Sequence, residues 1–218
     1  MSGCGHSHHE NCDHGSEAGD DIQKDSLFPA VDLEKCVALN CLPPNHLPKN
    51  VIKPVYMSNN NSNSDIESHL HLESDSDHEI LIRIQFTNPV HIRSLLLAHF
   101  GDNSAPKTVK LYTNIISMDF STASTTTPTQ IIELVAHNPH SKLTEYPTKI
   151  TKFKNINSVW MYFCENCGGD RTKIEFIGLK GTATKYKREA VSAVYEIQPQ
   201  KASGNSVSNQ HSNSSNIM

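Results

Sequence analysis

Residues 79–100, EILIRIQFTNPVHIRSLLLAHF, decide the fold class of this chain. Apolar and polar side chains alternate through the first part of this stretch, which is the period of a half-buried β-strand. One face of that strand carries Ile80, Ile82, Ile84 and Phe86. Asn88-Pro89 then predicts a turn, followed by a second strand over Val90–Phe100 that ends at Gly101-Asp102-Asn103. The two runs predict consecutive strands joined by a hairpin-like connection.

The second of these strands carries apolar residues on both faces. Strict alternation groups Ile92 with Leu96 and Ala98 on one face, and Leu95 with Leu97 on the other. A strand that is apolar on both faces is expected in the interior of a fold, where both of its faces are covered. This strand is therefore predicted to lie in the middle of the domain.

Short strands separated by clusters of Pro, Gly, Asn and Asp complete the folded part. The predicted strands are Val109–Tyr112, Ile131–Val135, Val159–Phe163, Ile174–Leu179 and Ala190–Tyr195. Only Leu33–Leu39 and Ile115–Phe120 are candidates for short helical turns, so crossover helices and a parallel sheet are not expected. The fold class is predicted to be all-β, as a sandwich or jelly roll, with the large aromatic side chains in its core. These aromatic residues are Phe153, Trp160, Tyr162, Phe163 and Phe176.

Composition indicates one ordinary domain with polar ends. The chain has 218 residues, of which 36% are hydrophobic and 19% charged, and a formal net charge of −4. Residues 1–25 form a His-rich leader and residues 201–218 a Ser/Asn-rich tail, and neither has enough apolar side chains to offset the entropy of ordering. Both are predicted to be disordered, residues 58–64 to be a Ser/Asn insertion, and residues 26–200 to be the folded domain.

Membrane insertion and secretion are not expected. No apolar run approaches the roughly 18 residues of a membrane span, and the polar start Met1–Asp21 lacks the apolar stretch of a secretory signal. We therefore expect a cytoplasmic protein with reduced cysteines, and a chain of 24.2 kDa leaves nuclear entry open.

Several longer sequence segments resemble those of the PITH domain family. They are Val51–Pro54, Glu73–Leu81 leading into Ile84–Phe86, Lys110–Asn114 with Met118–Phe120, Tyr146–Lys149, Lys152–Val159 and Gly169–Gly181. The resemblance extends from about Val31 to Glu196. It implies a jelly-roll sandwich similar to galactose-binding-like domains, which in thioredoxin-like relatives is fused to a thioredoxin domain and associates with the 26S proteasome. The thioredoxin domain is missing from this sequence, and the family's Cys-Leu-Asn is Ala38-Leu39-Asn40 here.

The resemblance favours a non-catalytic protein-interaction module, with the 26S proteasome or a similar large assembly as its partner. Between Lys142 and Arg188 ten basic residues stand against four acidic ones, which favours docking to an acidic protein surface. The candidate partner surface consists of Lys173, Lys180, Lys185, Lys187 and Arg188. The loops Gly101–Ala105 and Cys164–Arg171 are further candidate contacts. Nucleic-acid binding is disfavoured because aromatic residues interleaved with Arg are sparse and the net charge is negative. The oligomeric state stays open.

Other functions remain as alternatives. Cys164-Glu165-Asn166-Cys167 has the spacing of a thiol redox motif, although a loop between two strands lacks the helix N-terminus that lowers a thiolate pKa. A glycan-binding module is suggested by fold analogy alone. No Ser/His/Asp set is visible, so we do not predict an enzyme.

Metal and cofactor binding are not predicted. The leader between Cys4 and His14 offers imidazole and thiolate ligands but no rigid framework of the kind that structural zinc sites use. The acidic residues Glu73, Asp75, Asp77 and Glu79 lack the glycine and the flanking helices of a calcium-binding EF-hand loop. We interpret this acidic run as a solvated strand entrance.

Overall fold

The computed structural model describes residues 25–57, 70–136 and 143–184. The strands in these ranges are β1 (Val37–Leu39), β2 (Leu72–Glu73), β3 (Ile80–His99), β4 (Pro106–Thr113), β5 (Gln130–Glu133), β6 (Thr144–Pro147), β7 (Ile156–Asn166) and β8 (Lys173–Ala183). A short helix, α1 (Phe120–Thr125), lies between β4 and β5, and 3-10 turns span Phe28–Ala30, Leu33–Lys35, Pro48–Asn50 and Val55–Met57. None of the helices in these ranges has the length and apolar character needed to cross a membrane. The predicted tails, except for Asp25, and the predicted 58–64 insertion lie outside the described residues.

Strand β3 belongs to both sheets of the fold. Its first half pairs antiparallel with β7 on one side and β1 on the other, and its second half pairs antiparallel with β8 and β6. Strands β4 and β5 continue the first sheet beyond β7, and β2 continues the second sheet beyond β8. The first sheet therefore has the order β1-β3-β7-β4-β5, and the second has the order β6-β3-β8-β2. This arrangement confirms the predicted all-β jelly-roll sandwich.

The predicted turn at Asn88-Pro89 is wrong, because β3 continues without interruption from Ile80 to His99. The register between β3 and β7 shifts between Gln85 and Val90, so the hydrogen-bonded ladder is irregular at this point. Proline has no N–H to donate and is tolerated in strands at such irregularities. The carbonyl of Pro89 still accepts the N–H of Thr184 at 2.9 Å. Asn88 and Pro89 therefore lie where β3 passes from the first sheet to the second.

Both faces of the second half of β3 are buried, as predicted, but the alternation is not regular. A register shift between Ile92 and Ser94 places Ile92 in the main core with Leu95 and Leu97. Leu96 and Ala98 lie on the opposite face. The predicted grouping of Ile92 with Leu96 and Ala98 is wrong, because one extra residue in a strand reverses the face of every side chain that follows.

The apolar side chains form three clusters. The main core contains the inward residues of both sheets, including Phe153 and Phe163. A second cluster covers the outer face of the first sheet and contains Trp160 and Tyr162, and a third covers the outer face of the second sheet and contains Phe176. All five aromatic residues predicted to be in the core are at most 4% exposed, which confirms that prediction.

The predicted strands are confirmed where the structure describes them, and the helical turns are shorter or displaced. Val109–Tyr112, Val159–Phe163 and Ile174–Leu179 lie within β4, β7 and β8, β5 covers the first part of Ile131–Val135, and Ala190–Tyr195 lies outside the described residues. The predicted turn Leu33–Leu39 divides into a 3-10 turn and strand β1.

Helix α1 begins only at Phe120, where the predicted turn Ile115–Phe120 ends. Its N-cap is Asp119, whose carboxylate accepts the N–H of Thr122 at 2.7 Å. The capping residue, and not the apolar pair Ile115-Ile116, thus sets the start of this helix.

Candidate functional site

The two loops proposed as contacts, Gly101–Ala105 and Cys164–Arg171, meet at one end of the sandwich, although the second loop begins only after Asn166, where β7 ends. We call this end the loop end (residues 100–105 and 167–172). Three backbone hydrogen bonds join the loops, from Cys167 N–H to the Ala105 carbonyl at 3.0 Å, from Gly169 N–H to the Asn103 carbonyl at 2.9 Å, and from Lys173 N–H to the Ser104 carbonyl at 3.0 Å. A Cβ atom on Gly169 would lie 2.8 Å from the Asn103 carbonyl oxygen, so the loops approach too closely for another residue there. The loop end is therefore a single, connected surface.

Side-chain hydrogen bonds hold each loop in its own shape. The amide nitrogen of Asn166 donates to the Gly169 carbonyl at 2.7 Å, and its amide oxygen accepts the N–H of Gly168 at 3.0 Å. In the other loop, the Asp102 carboxylate accepts the hydroxyl and the N–H of Ser104, and these bonds lower the pKa of Asp102 below its ordinary value. A contact surface built in this way loses little conformational entropy on binding.

A charged network borders the loop end. Arg171 Nη1 lies 3.4 Å from Glu73 Oε1, and Lys173 Nζ lies 3.8 Å from the same oxygen. Lys173 also lies over the ring of Phe100, 5.9 Å from its centroid. Two cations therefore share one carboxylate, and the Arg171 side chain stays 41% exposed. Of the predicted partner surface, Lys173 is the member that the structure places here.

Lys180 lies elsewhere on β8 and is not part of a free basic patch. Its Nζ donates to Glu145 Oε2 at 2.7 Å, and its side chain is only 12% exposed. The other carboxylate oxygen of Glu145 accepts the hydroxyl of Ser94 at 2.5 Å. The structure does not bring Lys180 together with Lys173, and Lys185, Lys187 and Arg188 lie outside the described residues. The partner-surface hypothesis stays a prediction.

Both thiols of the C-x-x-C motif are free, and both cysteines are partly buried. Cys164 belongs to β7 and only Cys167 lies in the loop after it, so the predicted placement of the whole motif in a loop is wrong, because β7 extends to Asn166. The motif is nevertheless followed by strand β8 and not by a helix, as predicted. Burial raises the pKa of the Cys164 thiol, and the nearby Lys110 opposes this only in part. Burial also raises the pKa of Cys41 to about 12. A raised pKa is the opposite of what a nucleophilic thiolate requires.

Acidic side chains of the run before β3 form hydrogen bonds and ion pairs with other residues of the chain. Asp77 accepts the side-chain amide of Asn40 at 2.8 Å and the N–H of Glu79 at 2.8 Å. The carboxylate of Glu79 accepts the hydroxyl of Tyr162, and Glu73 belongs to the network of the loop end. No group of three or more His, Cys, Asp or Glu side chains suited to a metal ion occurs in residues 25–57, 70–136 and 143–184. The leader between Cys4 and His14 lies outside those ranges.

The outer face of the first sheet holds a group of residues that sequence reasoning missed. The guanidinium of Arg83 lies over the Trp160 ring, 5.9 Å from its centroid, and Trp160 Nε1 donates to the Ile115 carbonyl at 2.9 Å. Ile116, next along the chain, is 86% exposed. Alternation along β3 predicts that Arg83 points away from the core, but its meeting with Trp160 depends on the register between β3 and β7. Trp160 itself is only 4% exposed, so its ring lies in the second apolar cluster, against which Ile115 packs.

Comparison with known proteins identifies the family of this chain. A family model of the PITH domain matches residues 17–199. A Caenorhabditis elegans PITH domain-containing protein is 31% identical over 90% of this chain and 91% of its own length. The chain belongs to the PITH domain family. A PITH domain-containing protein of Dictyostelium discoideum is 40% identical over 56% of this chain, and that match spans only 59% of the relative's own length.

The PITH domain seen here has a fold found among carbohydrate-binding modules. The solved structure of the CBM32-1, CBM32-2 and M60 catalytic domains of Clostridium perfringens ZmpB matches 78% of this chain with a TM-score of 0.51, and the match covers 16% of that protein. The two sequences are 9% identical over this match, so the likeness concerns the fold alone. It confirms the predicted galactose-binding-like jelly roll.

Proposed function

We propose that this PITH domain protein is a non-catalytic module that binds a large protein assembly through its loop end. The 26S proteasome is the assembly that the family resemblance suggests. The observation that carries the proposal is the pair of loops joined by three backbone hydrogen bonds and bordered by the cations Arg171 and Lys173. A surface that is fixed by hydrogen bonds and bordered by partly exposed cations, with Arg171 41% and Lys173 34% exposed, is suited to recognise an acidic protein partner.

The cysteine chemistry supports binding over thiol catalysis. A thiol oxidoreductase depends on a thiolate that forms near neutral pH. Burial raises the pKa of Cys164, which disfavours the thiolate form of that residue. Cytoplasmic location, with access to the nucleus, belongs to the same proposal, and imaging of a fluorescent fusion tests it.

Affinity capture of the tagged full chain from native extract tests the partner. Enrichment of proteasome subunits, measured by quantitative mass spectrometry, is the expected result, followed by direct binding to purified 26S proteasome. The variant pair Arg171→Gln and Lys173→Gln removes both cations of the loop end. We expect affinity for the purified assembly to fall about tenfold, which corresponds to about 1.4 kcal/mol.

A charge-matched control separates this effect from general electrostatics. Lys149 and Lys152 are exposed and lie in the segment between β6 and β7. Replacing both by Gln changes the net charge equally and leaves the loop end intact. Equal weakening by the control, or no enrichment of proteasome subunits by the unmodified chain, would contradict the proposal.

A further inference from the structure

The end of the sandwich opposite the loop end carries positive charge without acidic side chains. Strand β4 ends there at Thr113 and β7 begins there at Ile156, and the other ends of both strands adjoin the loop end. We call residues 114–117 and 148–155, which follow β4 and precede β7, the basic end. These two segments contain three lysines and no aspartate or glutamate. In the part of the chain that the structure describes, these lysines are exposed and form no ion pair: Lys149, Lys152 and Lys154.

Hydrogen bonds join the two segments of the basic end to each other and to the neighbouring strands. The side-chain amide of Asn114 donates to the Asn155 carbonyl at 3.2 Å, and its oxygen accepts the N–H of Asn157 at 2.7 Å. The N–H of Lys149 donates to the side-chain oxygen of Gln130, at the start of β5, at 2.8 Å. The basic end is therefore one connected surface.

A tight turn in the basic end carries an exposed isoleucine between two of the lysines. The N–H of Lys152 donates to the Lys149 carbonyl at 2.8 Å, which places Ile150 at a corner of the turn. Ile150 is 54% exposed. The turn is anchored by Phe153, which is fully buried, and by Thr148, whose hydroxyl donates to a carbonyl of β3 at 2.9 Å.

The other segment of the basic end presents a second aliphatic side chain. Ile116 is 86% exposed. The residue before it, Ile115, is held in place because its carbonyl accepts Trp160 Nε1 at 2.9 Å. Both exposed isoleucines therefore lie on backbone that the fold fixes, so covering them costs little conformational entropy.

The composition of the basic end indicates the kind of partner that it fits. Paired recognition of a carboxylate or a phosphate favours the planar guanidinium of arginine, but the cations here are lysines, which act as compact point charges. Single-stranded nucleic acid binds to exposed aromatic rings, but the aromatic residue of the basic end, Phe153, is buried. Exposed aliphatic side chains flanked by lysines instead match a membrane surface, where apolar atoms leave water and cations stay beside anionic headgroups.

We propose that the basic end binds the surface of a bilayer that contains anionic lipids. The three lysines attract the headgroups, and Ile116 and Ile150 enter the boundary between the headgroups and the acyl chains. The attachment is peripheral and reversible, because two aliphatic side chains and three lysines bind far more weakly than a membrane-spanning helix. This inference goes beyond the proposed function, and it leaves the loop end, at the other end of the sandwich, free to contact a protein assembly.

Co-sedimentation of the full chain with lipid vesicles tests the proposal. One set of vesicles contains phosphatidylserine and phosphatidylcholine, and the other contains phosphatidylcholine alone. We expect saturable binding to the first set and binding at least about tenfold weaker to the second. Binding should also weaken between about 0.1 M and about 1 M salt, because the Debye length falls from about 10 Å to about 3 Å.

Two double variants of equal net charge test the role of the lysines. Lys149→Gln with Lys152→Gln removes two cations of the basic end and should lower the affinity for phosphatidylserine vesicles at least about tenfold. Arg171→Gln with Lys173→Gln removes two cations of the loop end and should bind these vesicles as the unmodified chain does. The same two variants are expected to show the opposite order in their affinity for the purified proteasome, so a failure of this inference is distinguishable from a failure of the proposed function.

Single variants test the aliphatic side chains without a change of charge. Ile150→Asn and Ile116→Asn, made separately, should each lower the affinity for phosphatidylserine vesicles about threefold, because less apolar surface leaves water. Val135→Asn is the matched control, since Val135 is a 53% exposed aliphatic residue beyond β5, toward the loop end. It should bind the vesicles as the unmodified chain does. The melting temperature of every variant is measured to show that it folds.

The inference is overturned if phosphatidylserine vesicles show no saturable binding up to about 1 mM lipid, roughly ten times the concentration at which a single myristoyl chain gives half-maximal binding. Equal binding to phosphatidylcholine vesicles, equal weakening by the two double variants, or unchanged binding of both isoleucine variants overturns it as well. Soluble polyglutamate is added as a competitor. If it binds the chain more tightly than the vesicles do, the basic end fits an acidic protein partner and not a membrane.

Discussion

The outer faces of the two sheets are covered in different ways. On the second sheet, Val55 packs against Leu96, Ala98 and Phe176, and the polar groups beside them form a closed set in which Ser94 and Lys180 bind the two oxygens of Glu145. On the first sheet, the segment before and within α1 packs on the aromatic cluster. There Arg83 keeps a buried nitrogen for which the described residues offer no acceptor, and Ile116 stays exposed.

This difference separates a face whose polar groups are satisfied from a face on which a buried donor is not. Polar groups that satisfy one another contribute to the stability of a fold. A buried donor without an acceptor lowers that stability instead. Strand β3 contributes to both faces, so the two can be compared in one protein under one set of conditions.

The largest expected effect is on the second face. Phe176→Ala removes a 1% exposed ring from a packed cluster and should lower the free energy of unfolding by about 3–5 kcal/mol. Ile116→Ala, on the first face, changes a side chain that is 86% exposed and should alter it by no more than about 0.5 kcal/mol. Urea denaturation of both variants measures the difference. Similar losses in the two variants would remove the distinction between the faces.

A smaller effect compares the two cations through the same substitution. Lys180→Met breaks a bond of 2.7 Å to Glu145 and should lower the free energy of unfolding by about 1.5 kcal/mol. Arg83→Met removes the 2.6 Å bond to Gln85 together with a buried nitrogen that finds no acceptor among the described residues. The loss and the gain oppose each other, so the substitution should change stability by at most about 0.5 kcal/mol. Thermal and urea unfolding measure both losses. A larger loss for Arg83→Met than for Lys180→Met would contradict this comparison.

The smallest expected effect is a dependence on pH. The hydrogen bond from Lys180, and then that from Ser94, hold the pKa of Glu145 below its ordinary value. The resulting stability is present above the ordinary glutamate pKa of about 4.3 and is lost as the pH falls through the lowered pKa of the folded state. Between about pH 6 and about pH 3, Glu145→Gln should therefore lose less of its melting temperature than the unmodified chain does. The melting temperatures of both proteins are measured across this range. If they change with pH in parallel, Glu145 makes no such contribution.

The sequence predicted the strands that follow regular alternation and failed where the backbone is irregular. Ile80, Ile82 and Ile84 were placed correctly because each of them obeys a period of two. Pro89 was interpreted as a turn, since sequence alone cannot distinguish a proline in a turn from one at an irregular point of a long strand. The face of Ile92 was wrong for a related reason, because nothing in the sequence marks the bulge that follows it.

The candidate sites were likewise predicted only as far as they depend on neighbouring positions in the sequence. The meeting of the loops at Gly169 was anticipated only as two separate candidate contacts, because their pairing depends on the three-dimensional path of β4, β7 and β8. The basic residues Lys173 and Lys180 were grouped by their sequence position, whereas each binds a different carboxylate in the fold. Arg83 could be assigned to the outer face by alternation, but its ring partner is some 77 positions away and is fixed by register alone.

The shared strand β3 has a consequence for how the protein is made. Its partners β7 and β8 come at the end of the described chain, so a ribosome releases β3 long before either partner exists. Neither sheet can be completed from the first part of the sequence, and pairing over such distances is slow. Until β7 and β8 have been synthesised, the apolar stretch of β3 lacks these two partners. A chain truncated before β8 would therefore leave the second half of β3 without the strand that pairs with most of its length.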